Sequence, residues 1–447
     1  EAAKESEAYV TIYPATAVPP GLNLTGYDLV FMEMFGGGIE IIGPAVQEAA
    51  ACGIPVAVIH GGEYEYLGTV DMSAHPAVDE YWQNSGPENA RRLINYLCSA
   101  FCGSDIEVQD PVPTPAEGIY HPDADTLFED LDEYLEWYTN NGTYDPSRPT
   151  IGVVFYDTNY KSGDLRGDHA IFRGLESCGA NIIPAYLNYY NPDIIDRFFV
   201  KDGKPVVDAI INIRSFRFYG TAPDRGVTQL QAYNIPIINA HADYYLSPEE
   251  WAEGTEGIPA SSIGTSIALP ELDGQTDFIW TAGRATDTES GLIGYRPITP
   301  VDSQIQWLVE RALAVANLRH TTASTKKVAV IYYNHGGGKN NLGATYLDIV
   351  PSLKNLLSAL KTEGYSVQGE VPDEDTLLDL MLKGGRNVGT WAPDELTRMV
   401  EDGDVTLIPA GQYLGWFHEL PADKQQEVIS TWGEPPGEIM VYTKDGQ

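Results

Sequence analysis

Short apolar runs that end in Gly, Pro or Asn alternate along this chain with longer segments of helical period. That alternation is the mark of buried parallel strands joined by crossover helices, and it predicts an α/β fold. In the first third, Asp28 to Phe35 runs into Gly36-Gly37-Gly38, and Ile54 to Ile59 runs into His60-Gly61-Gly62. Both read as strands entering glycine loops, and Gly43 to Gly53 has the length of the one helix needed between them. Leu93, Leu97 and Phe101 recur once per turn behind Pro87, which predicts a docked helix. Further strands are expected at Thr150–Tyr156, Asn181–Pro184, Val206–Ile213, Ile235–Asn239 and Lys327–Tyr333, the last followed by a helix bearing Leu347, Val350, Leu353, Leu357 and Leu360.

Breaks in this rhythm divide the chain. A Pro-bearing acidic stretch from Ser104 to Pro115 reads as a linker and is followed by a helix carrying Phe128, Leu131, Tyr134, Leu135 and Trp137. The expected organisation is therefore a first α/β domain over 1–103 and an acidic linker and helix over 104–147. A second α/β domain is expected over 148–325 and a third over 326–447, several doubly wound parallel sheets of the flavodoxin or Rossmann kind in one chain. At 447 residues, more than one core is the default.

Composition narrows the partners. The 27 Lys+Arg against 64 Asp+Glu give a net charge of −37, which repels nucleic acid and anionic membrane surfaces. Such acidity suits either a halophile-like cytosol or an extracellular protein, and the sequons at Asn23 and Asn141 add little to the second. No apolar run reaches the ~18 residues that span a bilayer. Cys52, Cys98, Cys102 and Cys178 are too scattered for a disulfide scaffold and are expected to be buried thiols.

Open parallel sheets bind ligands at the carboxyl ends of their strands, so chemistry should gather after Phe35, Ile59, Tyr156, Ile213 and Tyr333. The loop His335 to Gly343 lacks the spacing and the Lys-Ser/Thr ending of a P-loop. Hydrolase elbows, Cys-x-x-Cys, His-Glu-x-x-His and dinucleotide fingerprints are absent.

Two blocks carry a resemblance. Tyr332-Tyr333-Asn334-His335-Gly-Gly-Gly-Lys339-Asn-Asn341-Leu-Gly343 with Ala344, Tyr346 and Asp348 is one. Trp251, Gly254 and Gly257 leading to Pro270-Glu271-Leu272-Asp273-Gly274 is the other. Together they resemble the family formed by the large subunits of cobaltochelatase and magnesium chelatase, over the front and middle portion of such a subunit. The resemblance implies a tetrapyrrole-binding chelatase subunit, a ligase forming nitrogen–metal bonds, that inserts cobalt into hydrogenobyrinic acid a,c-diamide during cobalamin synthesis. It implies cytoplasmic AAA+ and integrin-like partner subunits that hold ATP and Mg. The alternatives are a non-catalytic corrinoid-, porphyrin- or metal-binding relative outside the cytoplasm, and a magnesium chelatase of chlorophyll synthesis.

Metal insertion removes two pyrrole protons while the ion sheds water, work suited to carboxylates and imidazoles. By the resemblance, the acid/base or ion-delivery role falls on Glu271, the alternative being an ion pair of Glu271 with Arg284 or Arg296. Glu271 and Asp273 are expected to alternate along an extended segment and face opposite ways, with Asp273 as catalyst or turn former. His335, His60 and His241 are candidate metal ligands, each at a strand end and each equally readable as a loop residue. Arg214 and Arg217 are candidates for the peripheral carboxylates of the macrocycle. Tyr333, Asn334, Lys339, Asn341 and Trp251 complete the expected substrate surface, with Tyr219, Tyr332 and Tyr346 as further candidate faces for the macrocycle.

Overall fold

The computed structural model describes residues 8–13, 18–33, 39–141, 143–187, 193–220, 222–286, 295–334, 342–343, 346–383 and 392–443. The chain divides into two compact units, Glu1–His320 and Thr321–Gln447.

In the first unit, β1 (Val30–Glu33) and β2 (Val56–Ile59) pair in parallel from Val30↔Val56 to Glu33↔Ile59, with the helix Ile39–Ala51 as their crossover. Every residue of β2 is buried, as its unbroken apolar run requires. Helices Ala77–Gln83 and Pro87–Phe101 follow, the second with Pro87 in its first turn and Leu93 and Leu97 buried. Residues 104–116 form no regular element.

The larger part of this unit is a seven-stranded sheet. Its first three strands in the chain are β3 (Glu117–Ile119), β4 (Thr150–Tyr156) and β5 (Asn181–Leu187). A small separate hairpin, β6 (Val200–Lys201) with β7 (Lys204–Pro205), then ends just before the segment expected to be strand from Val206. The sheet resumes with β8 (Ala209–Asn212), β9 (Ile237–Ala242), β10 (Gln275–Arg284) and β11 (Ile298–Pro300), in the spatial order β11-β10-β9-β8-β4-β5-β3. The five inner strands run parallel, and antiparallel β11 and β3 close the two edges. The α/β class read from the sequence therefore holds, and the sheet is mostly parallel.

Packing explains the order. Ile151, Val153, Val154 and Phe155 of β4 and Ile182, Ile183, Ala185 and Tyr186 of β5 are fully enclosed. Each such Ile or Phe side chain contributes about 1.5–3 kcal/mol relative to exposure. The helix Arg166–Ser177 turns Ile171, Phe172 and Leu175 inward, and the 19-residue helix Asp302–His320 adds Ile305, Leu308 and Val309. In the helix Leu131–Asn140, Tyr134 is buried and donates its hydroxyl proton to the Ile182 carbonyl at 2.8 Å, so its polar tip is satisfied inside the core.

The second unit departs from expectation. The apolar run 327–332 is not a strand: only Tyr333–Asn334 pairs, antiparallel, with Leu342–Gly343, and Val328, Val330 and Ile331 are exposed. An apolar run becomes a strand only where a neighbour takes its backbone N–H and C=O groups, and none of the described residues does so here. The helix Ile349–Thr362 forms as predicted and packs on the helix Glu374–Lys383 through Ile349, Leu353, Leu357, Leu377 and Met381. The free thiols also differ from expectation: Cys52, Cys102 and Cys178 are exposed, each directly after a helix end where the chain turns out to solvent.

Close approach fixes one glycine. A Cβ on Gly226, in the helix Pro223–Tyr233, would lie 2.5 Å from Cβ and Cγ of the fully buried Tyr219. Gly226→Ala should therefore lower stability by about 1–3 kcal/mol through overpacking, despite the better helix propensity of Ala. A urea melt in which the variant matches or exceeds the wild type would show that this helix can shift freely.

Candidate functional site

After β4 the chain adds β5 on one side, then returns past β4 to lay down β8, β9 and β10 on the other. The order reverses between β4 and β8, and the crevice at their carboxyl ends is where such sheets place ligands. Tyr156 ends β4, Ile213 to Phe218 leave β8, and His241 to Asp243 end β9. The crevice is thus built from three loops.

The loop after β8 is held tightly. Asn212 donates from Nδ2 to the Phe216 carbonyl and to Gln275 Oε1, both at 2.8 Å. The Arg217 guanidinium donates to Asp273 Oδ1 at 2.9 and 3.1 Å, and Asp273 Oδ2 accepts from the Phe218 N–H at 2.8 Å. Arg214 is buried, with its guanidinium 5.6 Å from the Tyr156 ring centre and 5.3 Å from that of Phe218. Ser215 between them holds φ of 50°, a left-handed conformation that persists in a non-glycine residue only when its surroundings over-determine it.

Ser215 Oγ lies 2.9 Å from His241 Nδ1 and donates to the Ala240 carbonyl at 3.2 Å. His241 Nε2 stands 3.6 Å from Asp243 Oδ2, while Asp243 Oδ1 accepts from the N–H groups of Tyr245 and Leu246 at 2.8 and 3.1 Å. Burial opposes ionisation of Asp243, but the imidazole and these backbone donors outweigh it and hold the carboxyl down at about 2. A second buried carboxyl behaves in the opposite way. Asp168, whose two oxygens accept from Asn159 Nδ2 at 3.3 and 3.1 Å, is pushed up to about 7, chiefly by burial.

The structure brings four of the expected residues together: Arg214, Arg217, His241 and Asp273. It corrects the expected geometry of Glu271 and Asp273. Ala260–Ile263, a π turn at Gly264–Ala268 and Leu269–Glu271 follow one another as helix, and a tight turn with Gly274 at φ of 77° follows. The two carboxylates diverge because the helix ends, not because a strand is pleated, and Glu271 is exposed while Asp273 is buried. Arg284 and Arg296 are engaged elsewhere, each donating to the other's carbonyl, and Arg284 lies 3.8 Å from Asp164.

The other candidates lie apart. His60 follows β2 with φ of 51°, exposed and 3.8 Å from Glu33. Trp251 stacks face to face on Trp280 at 4.5 Å, and Trp280 is the ladder partner of His241. Tyr219 is enclosed in the core and offers no face to a macrocycle. Tyr333 and Tyr346 are exposed in the second unit, and Asn334 contributes backbone to its hairpin. His335, Lys339 and Asn341, like the side chain of Asn334, lie outside the described residues.

Sequence reasoning missed Ser215, Asp243 and Asp168. Asp243 had a signal in Asn239-Ala-His241-Ala-Asp243, where residues two apart can share a face. Ser215 and Asp168 had none. One further group, His121, Asp123 and Glu176, could hold an ion by spacing. Arg173 already occupies it, bonding Asp123 and reaching Glu176 at 3.0 Å, and so supplies the positive charge itself.

Among known proteins, residues 79–447 match the family model described as CobN/Magnesium Chelatase. The chain is 31% identical over 314 residues to the chloroplastic magnesium-chelatase subunit ChlH of Oryza sativa subsp. indica, covering 66% of this chain and 22% of that protein. It is 24% identical over 400 residues to the aerobic cobaltochelatase subunit CobN of a Sinorhizobium species, covering 85% and 30%. The solved catalytic subunit of cobaltochelatase from Mycobacterium tuberculosis superposes with a TM-score of 0.69 at 22% identity, covering 93% of this chain and 33% of that one. The chain therefore spans a third or less of these relatives' length.

Two outcomes test this geometry. Asp273→Ala strands a buried guanidinium and a backbone donor and should cost about 3–5 kcal/mol, whereas Glu271→Gln, at an exposed position, should stay within about 0.5 kcal/mol; chemical denaturation of both separates a clamp from a surface charge. Asp168 binds its proton more tightly folded than unfolded, so its contribution is full below about pH 4 and is lost as pH rises through about 7. Asp168→Asn should remove that decline, and parallel pH profiles for variant and wild type would refute it.

Proposed function

Because the chain belongs to the CobN/Magnesium Chelatase family, we propose that it is the part of a chelatase large subunit that binds a tetrapyrrole and takes part in inserting cobalt into a corrin ring. The observation that carries this reading is the family match itself, which includes every residue of the crevice between β4 and β9.

The chemistry suits the site. Two pyrrole protons must leave as the ion enters, and the exposed Glu271 carboxylate is the acceptor assigned here. Arg214 lines the crevice where peripheral carboxylates or amides of the macrocycle would lie. Arg217, committed to Asp273, is a positioning residue. ATP and Mg belong to AAA+ and integrin-like partner subunits, which accords with a chain lacking a P-loop, and the cytoplasm is where such partners would meet it.

A second reading has an observation of its own. Identity is higher to the magnesium-chelatase subunit, 31%, than to the cobaltochelatase subunit, 24%, which favours magnesium and a porphyrin.

Titrating the 447-residue chain with hydrogenobyrinic acid a,c-diamide and with protoporphyrin, followed by absorbance and tryptophan quenching, distinguishes them. The corrin should bind the more tightly. With partner subunits and ATP supplied, Glu271→Ala should slow insertion by about 10²–10⁴, the range of a lost acid/base group. Preference for protoporphyrin would transfer the assignment to magnesium, and binding of neither would overturn it.

A further inference from the structure

Ser215 orients the ring of His241. A carbonyl can only accept, so the Ser215 hydroxyl, 3.2 Å from the Ala240 oxygen, gives its proton there. Its lone pair then faces His241 Nδ1 at 2.9 Å, and this bond favours the tautomer in which that nitrogen is the donor. In that tautomer of the neutral ring Nε2 is left as a bare lone pair. It points at another lone-pair atom, Asp243 Oδ2, at 3.6 Å.

Neither atom has a hydrogen-bond partner among the described residues, and the two residues are only 7% and 2% exposed. In that tautomer two buried acceptors face each other across a gap, an arrangement with a cost, because each forfeits its water without gaining a donor. The gap is also too wide for a good N–H···O bond. An ion about 2.1 Å from each atom would subtend roughly 120° at this separation, close to the tetrahedral value.

We propose that His241 Nε2 and Asp243 Oδ2 form a divalent-cation site at the carboxyl end of β9, with Ser215 as the group that orients the imidazole. The bond from the other ring nitrogen is the support that a ligating histidine normally has. Asp243 is likewise fixed through its second oxygen by the N–H groups of Tyr245 and Leu246. One imidazole and one carboxylate suit Co²⁺, Ni²⁺ or Zn²⁺ and suit Mg²⁺ poorly, since Mg²⁺ prefers six oxygens. With only two protein donors the remaining positions go to water, so the ion exchanges readily. Tyr244 and Tyr245, next in the chain, are exposed, which places the site just below the surface. Resting on the function proposed above, this is a staging point for the ion on its way to the macrocycle.

The test needs neither macrocycle nor partner subunits. The full chain is titrated with CoCl₂, following the visible d–d bands and the hyperfine-shifted proton spectrum. One strong site should appear, with a shifted, exchangeable imidazole N–H signal from His241 Nδ1. Asp243→Asn keeps the oxygen that Tyr245 and Leu246 bond and places an amide N–H toward Nε2, so the variant should fold at least as stably as the wild type. It should bind Co²⁺ at least tenfold more weakly. Glu176→Gln, in the Arg173 cluster, should leave binding unchanged. Unaltered affinity in Asp243→Asn, loss of the site in Glu176→Gln, or no shifted imidazole signal would each overturn the proposal. Failure of Co²⁺ binding with corrin binding intact would remove the ion site and leave the chelatase reading standing; the converse would do the reverse.

Discussion

Asp273 is the residue on which the crevice depends. Its side chain has no exposed surface, one oxygen takes the Arg217 guanidinium and the other takes the backbone of Phe218. The loop it grips leaves β8 where the strand order reverses, and a loop there has no ladder to satisfy its N–H groups. A buried carboxylate can do so only if its own charge is matched, and Arg217 matches it. With the loop fixed, Ser215 is held in its left-handed conformation, Arg214 is laid between Tyr156 and Phe218, and Ser215 in turn sets the ring of His241. A single ion pair from a turn after a helix thus organises residues on β4, β8 and β9.

What could be read from sequence divides along physical lines. Thr150–Tyr156 and Asn181–Pro184, the latter running on to Leu187 in the structure, were legible because strands buried on both faces are continuous apolar runs. The same rule misled at 327–332, since an apolar run does not reveal whether a partner strand exists. Glu271 and Asp273 were expected to alternate along extended chain, yet Leu269–Glu271 is a short helical stretch with Pro270 in its first turn. His241, Arg214 and Arg217 were found because strand ends in parallel sheets are where side chains converge. Ser215 and Asp168 were not, because their significance lies in a hydroxyl and a carboxyl enclosed by segments distant in sequence.

Charge explains which clusters remain open to ligands. In a chain of net charge −37 cations are scarce, and several are committed to buried or half-buried acids: Arg217 to Asp273, Lys161 to Asp157, Arg173 to Glu176. His121 joins the last of these at 3.2 Å from Glu176, so that cluster is internally neutralised. The pair His241 and Asp243 differs in that, among the described residues, no Lys or Arg bonds its carboxylate. Where the protein supplies its own cation the spacing of ligands carries no chemistry; where it does not, the site must take a proton or an ion.

The two unusual carboxyls that follow β4 and β9 extend this point. Asp243, bonded by backbone N–H groups, stays ionised far below neutrality, whereas Asp168, enclosed with one amide donor, titrates near it. Burial raises both; on Asp243 the His241 imidazole and two backbone N–H groups outweigh it, whereas the single amide of Asn159 does not offset it on Asp168. One fold therefore presents, on segments that follow two strands of a single sheet, a carboxylate fixed in its charge and a carboxyl able to exchange a proton.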